Sequence, residues 1–138
     1  MIIGYTSGVF DLFHIGHLNI IRRARSECDR LIVAVTTDEL SLSRKNKSPV
    51  IPYSERAEII DSLKFVDQVV PQADMDKFGA WEHHGFHKMF VGDDWKGHPD
   101  WIALENRFKP LNVEIVYFPY TAQTSSTQLR AVLDKIAS

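Results

Sequence analysis

The chain has 138 residues, of which 44% are apolar and 25% are charged, and these fractions are ordinary for one soluble globular domain. Its formal net charge of −2 gives no overall attraction to nucleic acid or to an anionic membrane surface. The opening MIIGYTSG carries neither the basic region of a targeting signal nor a long apolar run, and the single cysteine, Cys28, has no partner for an internal disulfide. We therefore expect one domain over residues 1–138, located in the cytoplasm, with no nucleic-acid partner and no membrane insertion.

Short apolar runs alternate along the chain with segments of helical periodicity. Strands are predicted at residues 1–5, 31–35, 68–70, 88–91 and 113–118. Apolar residues three or four positions apart predict helices around residues 18–28, 57–63, 101–108 and 129–136, and a weaker helical pattern covers residues 75–84. Five strands that alternate with helices predict an α/β fold in which a parallel sheet is covered on both faces.

Ligands of such sheets bind beyond the carboxyl ends of the strands, where the strand order reverses. Most of the polar residues of interest lie in four predicted loops that follow strands: TSGVFDLFHIGH, TTDELSLSRKNK, GDDWKGH and PYTAQTSST.

Two histidines three residues apart, His14 and His17, follow the first strand. Gly8 allows the backbone to approach a ligand closely, and a helix that begins near Gly16 or His17 directs its free N–H groups and positive dipole end toward an anion. Both imidazoles could then donate to one phosphate. The alternative is a pair of capping or surface histidines, but their position at a helix start between two glycines favours the phosphate site.

The run GVFDLFHIGH resembles the HxGH signature of the nucleotidyltransferase superfamily, which small cytidylyltransferases carry as G-T-F-D-x-x-H-x-G-H. The similarity continues through VAVTTDE, YSERAEIIDSLKFVDQVV, VGDDWKG and the closing Ser/Thr cluster, and it is strongest toward members that act on glycerol 3-phosphate. The resemblance implies a Rossmann-like, doubly wound sheet of order 3-2-1-4-5. It also implies transfer of a cytidylyl group from CTP to a phosphorylated alcohol, Mg²⁺ bound with the CTP, and a homodimer.

The resemblance assigns roles to the first loop. His14 and His17 would donate to the phosphate oxygens during transfer, as catalytic and nucleotide-binding residues. Asp11 matches the acidic residue of the motif, and it either orients the loop or caps a turn. Backbone contacts to the nucleotide are implied for the preceding residues Gly8, Val9 and Phe10.

The second loop carries a short basic run that includes Lys45 and Lys47. Such runs are commonly solvated surface, but this one follows a strand and can fold over the site. The resemblance places a K-x-K pair here, so that Lys45 would bind the incoming acceptor phosphate and Lys47 would bind CTP and assist catalysis.

Two further cations are assigned by the resemblance. Arg56 matches a family arginine directed at phosphate, although its helical position would also allow surface pairing with Glu55 or Glu58. Lys77 aligns with a lysine that contacts the acceptor substrate.

The fourth and fifth strands are each followed by candidate nucleotide contacts. Asp93 and Asp94 could accept hydrogen bonds from a base or ribose, and an acidic turn without a ligand is the alternative. The Ser/Thr cluster after the fifth strand predicts a second anion-binding site at a helix N-terminus, and it also contains an ordinary Ser cap. Its members are Thr121, Thr124, Ser125, Ser126, Thr127 and Arg130, and Tyr120 stands where relatives carry an arginine.

His83 and His87 stand four apart, a spacing that can bind zinc on a helix. Gly85 interrupts the helix and no third ligand is evident, so we expect surface histidines and no protein-bound metal site.

The resemblance therefore implies synthesis of CDP-glycerol from CTP and glycerol 3-phosphate. The alternatives are a cytidylyltransferase for another phospho-alcohol or phosphonate such as phosphoethanolamine, an adenylyltransferase, and a module that binds CTP without turnover.

Overall fold

The computed structural model describes residues 1–119 and 125–137, and in these ranges helices alternate with strands of one parallel sheet. The strands are β1 (Ile3–Gly8), β2 (Arg30–Thr36), β3 (Gln68–Gln72), β4 (Lys88–Gly92) and β5 (Glu114–Phe118). The α-helices are α1 (Ile15–Ser26), α2 (Asp38–Lys45), α3 (Tyr53–Asp61), α4 (Lys77–His84), α5 (Pro99–Phe108) and α6 (Ser126–Ala137). None of these helices has the length and apolar character that crossing a bilayer requires.

The sheet order is β3-β2-β1-β4-β5, so the predicted α/β fold and its 3-2-1-4-5 order are confirmed. β1 is central and pairs in parallel with both β2 and β4. The strand order reverses between β1 and β4, and the loops that follow these two strands therefore meet at one crevice.

The core lies on both faces of the sheet because successive side chains of a strand point to opposite faces. In β2, Leu31, Val33 and Val35 pack into one cluster with residues of α1 and α3. Ile32 and Ala34 face the other way, into a cluster with residues of α4 and α5. A strand buried on both faces explains why β2 is apolar throughout its centre.

Two strands, β1 and β3, differ from their predicted bounds by more than one residue. β1 begins later than predicted and continues to Gly8. The continuation is possible because the buried Thr6 hydroxyl donates to the Phe90 carbonyl at 3.0 Å, so that its burial leaves no unsatisfied polar group. β3 continues through Pro71 to Gln72, which is possible because β3 is an edge strand and need not donate on its free side.

The prediction that residues 36–47 form a loop is wrong, since α2 occupies most of this segment. Thr37 caps α2 by accepting the Leu40 N–H at 3.2 Å, and Asp38 and Glu39 place negative charge in the first turn. The helix has eight residues, which is too short for a repeated apolar pattern, so the cap was the signal that could have revealed it.

Candidate active site

A cavity of about 540 Å³ lies at the carboxyl ends of β1 and β4. Its volume falls in the range of small-molecule sites. Of the residues predicted for the site, the cavity is lined by Gly8, Val9, Phe10, Asp11, His14, His17, Lys45, Lys47, Ser125, Ser126, Thr127 and Arg130. The fold thus brings together side chains from the first, second and last predicted loops.

The two histidines cap α1. The Gly16 N–H donates to Nδ1 of His14 at 3.0 Å, and the His14 N–H donates to Nδ1 of His17 at 3.3 Å. His14 is the N-cap residue itself, so α1 begins at Ile15, slightly before the start predicted near Gly16 or His17. The capping alternative and the phosphate site are therefore compatible, because capping uses only one nitrogen of each ring.

These hydrogen bonds determine which nitrogen carries the proton. An Nδ1 that accepts a backbone N–H must be unprotonated, so each neutral imidazole carries its proton on Nε2. Ser126 supports this assignment for His17, since its hydroxyl donates to the Asp11 carbonyl at 2.6 Å and its oxygen lies 3.4 Å from Nε2 of His17. The rings are stacked, with centroids 4.0 Å apart.

Burial keeps the rings neutral. It lowers the pKa of His17 to about 4, with a smaller contribution from the neighbouring His14 imidazole and a weak opposing effect of Asp11. Burial also lowers the pKa of His14. At neutral pH the site therefore presents two uncharged Nε2–H donors.

Asp11 orients the first loop. The sequence alone allowed either this role or the capping of a turn. Its two carboxylate oxygens accept the backbone N–H groups of Val50 and Ile51 at 2.7 and 2.9 Å. The flanking residues Phe10 and Leu12 have φ values of +54° and +52°, a left-handed conformation that is unfavourable for such side chains. The hydrogen bonds of Asp11 help to hold the loop in this conformation.

Arg56 is a buried brace and does not line the cavity. Its guanidinium donates to the carbonyls of Val9 (2.7 Å), Thr36 (2.8 Å) and Ile51 (2.8 Å) and to the carboxylate of Asp38 (2.6 Å). Only 1% of the side chain is exposed. These contacts join the first loop, the end of β2, α2 and the segment before α3, so Arg56 positions the site rather than a phosphate. Sequence reasoning did not single out Asp38, because nothing in the spacing marks a partner for Arg56.

Positive charge surrounds the cavity. Lys45 ends α2, Lys47 follows it, and Asn46 between them adopts the left-handed conformation that ends the helix. Arg130 reaches across from α6 to donate to the Ser48 carbonyl at 2.7 Å and approaches the Asp11 carboxylate at 3.4 Å. Against three cationic side chains, Asp11 is the one carboxylate among the described lining residues, so the cavity suits a polyanion.

The start of α6 forms the opposite wall of the cavity. Ser125 caps the helix, as predicted, by accepting the Gln128 N–H at 3.1 Å. Thr121, Thr124 and Tyr120 lie outside the described residues.

Three further residues predicted for the site, Lys77, Asp93 and Asp94, do not line the cavity. Lys77 contacts the lining residue Ser7, whereas Asp93 and Asp94 are not lining residues, although their neighbours Gly92 and Trp95 are. In the described part of the chain, no group of three or more His, Cys, Asp or Glu side chains could hold a metal ion.

Comparison with known proteins gives three findings. The family model described as cytidylyltransferase-like matches residues 5–132. The glycerol-3-phosphate cytidylyltransferase of Bacillus spizizenii is 35% identical over 91% of this chain and 92% of its own length, and the FAD synthase of Thermococcus sibiricus is 29% identical over 95% and 89%. The structure of a lipopolysaccharide core biosynthesis protein from Thermoplasma volcanium is similar with a TM-score of 0.72 and 22% identity, covering 90% of this chain and 99% of that one, which supports the fold alone.

Substitution of Arg56 by methionine should lower the free energy of unfolding by about 3 kcal/mol or more. The substitution leaves three carbonyls without their donor, and each buried unsatisfied group costs about 1–3 kcal/mol. Urea denaturation measures the change. Arg22→Met, at an exposed position of α1, is the matched control, and an Arg56→Met effect as small as that of the control would contradict the bracing role.

His17 should titrate near pH 4, whereas an unfolded histidine titrates near 6.5. Between these values the unfolded chain binds more protons, so the stabilisation is complete above pH 6.5 and is lost as the pH falls toward 4. Imidazole ¹⁵N shifts measure both the titration and the Nε2–H tautomer. His17→Gln should weaken the pH dependence of unfolding in this window, and titration of His17 near 6.5 would disprove the prediction.

Proposed function

Because the chain belongs to the cytidylyltransferase-like family, we propose that it transfers the cytidylyl group of CTP to glycerol 3-phosphate, giving CDP-glycerol and pyrophosphate. A phosphate oxygen of the acceptor attacks the α-phosphorus of CTP in line, and the bond from that phosphorus to the pyrophosphate oxygen breaks. No covalent enzyme intermediate is required.

The observation that carries this proposal is the fixed pair of Nε2–H donors at the start of α1. Because backbone N–H groups hold both rings through Nδ1, the donors need no reorganisation when negative charge develops on the transferring phosphate. Neutral imidazoles donate hydrogen bonds without binding the product phosphate as tightly as fixed cations would. The N-terminus of α1 adds its dipole at the same place.

We assign the cationic side chains in and beside the cavity to two substrates, CTP and the acceptor. The triphosphate of CTP is assigned to Lys47, Arg130 and the N-terminus of α6, whose cap residue and first turn carry the hydroxyls of Ser125, Ser126 and Thr127. Lys45 and Lys77 are assigned to the acceptor phosphate. Asp93 and Asp94 are proposed to accept from the cytosine or ribose, and Thr121 and Thr124 remain proposed nucleotide contacts outside the described residues.

Mg²⁺ would reach the site with CTP. Both oxygens of Asp11 already accept backbone N–H groups, so the phosphates of CTP and water suit the ion better than this carboxylate does. When bound, the ion would neutralise charge on the leaving pyrophosphate.

Glycerol 3-phosphate is proposed as the acceptor because relatives that carry this activity in their names share about a third of their residues with the chain. FAD synthases are similar at slightly lower identity, so transfer of an adenylyl group to FMN is the second candidate.

Release of pyrophosphate, measured for each nucleoside triphosphate against a panel of acceptors, tests the proposal. The panel contains glycerol 3-phosphate, phosphoethanolamine, another phospho-alcohol and FMN. Turnover with CTP and glycerol 3-phosphate is expected. Turnover with ATP and FMN, or binding of CTP without turnover on any acceptor, would contradict it.

Two further expectations stay predictions. The family resemblance implies a homodimer, which sedimentation of the intact protein tests. The single domain over residues 1–138 is the other.

Removal of the Nε2 donor should lower kcat by about 100-fold or more, because such a donor contributes roughly 3–4 kcal/mol to the transition state. His14→Asn and His17→Asn are the informative variants. The asparagine oxygen can replace Nδ1 as the cap acceptor while nothing replaces Nε2, so stability and CTP binding should change far less than kcat. Single-turnover rates near those of the wild type in both variants would refute the role.

Substitution of Lys45 or Lys47 by alanine should chiefly raise KM, for the acceptor with Lys45 and for CTP with Lys47. A lysine that contacts substrate equally in the ground and transition states changes KM with little effect on kcat. Lys109→Ala, an exposed lysine outside the cavity lining, is the control. If neither KM differs from the control, the run is solvated surface.

A further inference from the structure

An ammonium group and a serine hydroxyl meet at the end of β1. Lys77 is the first residue of α4, and its Nζ donates to Oγ of Ser7 at 3.1 Å. Ser7 lines the cavity and lies two residues after Tyr5, so both side chains project toward the face of the sheet that α4 and α5 cover. The contact therefore connects the helix on that face to the wall of the site.

The ammonium lacks a paired carboxylate. No carboxylate lies within ion-pair distance of Lys77 in the described part of the chain. The adjacent carboxylate of Asp76 is engaged in capping α4, where it accepts the Gly79 N–H at 2.8 Å. A half-buried ammonium with three N–H donors thus has one described hydrogen-bond partner, the Ser7 hydroxyl.

The charged groups that face Lys77 do not neutralise its ammonium, since one of them is positive and the other negative. The pKa of Lys77 is lowered to about 8, mainly by burial and to a smaller extent by Arg44 of α2, while Asp74 in the segment before α4 opposes both effects. A phosphate dianion beside the ammonium would supply the missing charge and raise this pKa again.

We propose that Ser7 is a positioning residue for the acceptor: its hydroxyl holds the Lys77 ammonium at the carboxyl end of β1, where it pairs with the phosphate of the incoming phospho-alcohol. The inference deepens the proposed function, on which it rests. Serine suits the role because its backbone is fixed by pairing with Ala34 of β2. Its oxygen accepts from Lys77 while its own proton remains available for a phosphate oxygen.

Kinetics of Ser7→Ala and Ser7→Thr test the role. Ser7→Ala should raise the KM for glycerol 3-phosphate by about tenfold, the usual effect of one lost hydrogen bond to a charged group, and change the KM for CTP by less than about twofold. Ser7→Thr keeps the hydroxyl on a strand and should restore the acceptor KM. Ser26→Ala, at the exposed end of α1, is the control.

The pH profile separates this role from a merely structural one. The hydroxyl stabilises the charged amine, so its loss should move the alkaline limb of kcat/KM for the acceptor to lower pH. Equal increases in both KM values, an unmoved limb, or failure of threonine to rescue the acceptor KM would overturn the proposal.

A direct titration of Lys77 does not depend on turnover. NMR of the lysine Cε and Hε signals, assigned with Lys77→Arg, should show a lower pKa for Lys77 in Ser7→Ala than in the wild type. Addition of glycerol 3-phosphate should raise the wild-type value. If no acceptor releases pyrophosphate, the proposed function fails while this titration still decides the Ser7–Lys77 contact, and an unchanged pKa in Ser7→Ala overturns it.

Discussion

The hydrogen bonds of the Arg56 guanidinium join the segments on which the candidate site depends. Val9 follows β1, Thr36 ends β2 and Ile51 precedes α3, and the carbonyl of each accepts a hydrogen bond from this one side chain. A charge buried this deeply is costly unless its donors are satisfied, so the loss of any one of these acceptors should destabilise the arrangement. The first loop and α2 are therefore positioned by the same group, although neither contains it.

Much of the fold could be predicted because its signals are local. The apolar run of β2 and the helical spacing of Ile21 and Ala24 identify their elements within a few residues. The position of His14 and His17 was predictable for the same reason, since they stand on either side of Gly16 in the segment that follows the first strand. Their capping hydrogen bonds also connect residues only two or three positions apart, and the alternative of capping histidines described those bonds correctly.

The features that the sequence could not reveal depend on contacts between distant positions. Arg56 and Val9 are 47 residues apart, and Lys77 and Ser7 are 70 apart. Periodicity on α3 allowed Arg56 an exposed position beside Glu55, and only the packed structure shows the guanidinium turned into the protein. Helix α2 was missed because its eight residues cap well but repeat no apolar pattern.

The start of α6 completes the wall of the cavity, so the cavity is divided between two distant parts of the chain. The five described strands and both imidazoles precede α6 in sequence. Arg130 of α6 reaches back to the Ser48 carbonyl and the Asp11 carboxylate. A chain that has formed its sheet but has not docked α6 would therefore hold both imidazoles without the far wall, which makes docking of this helix and completion of the anion site a single folding step.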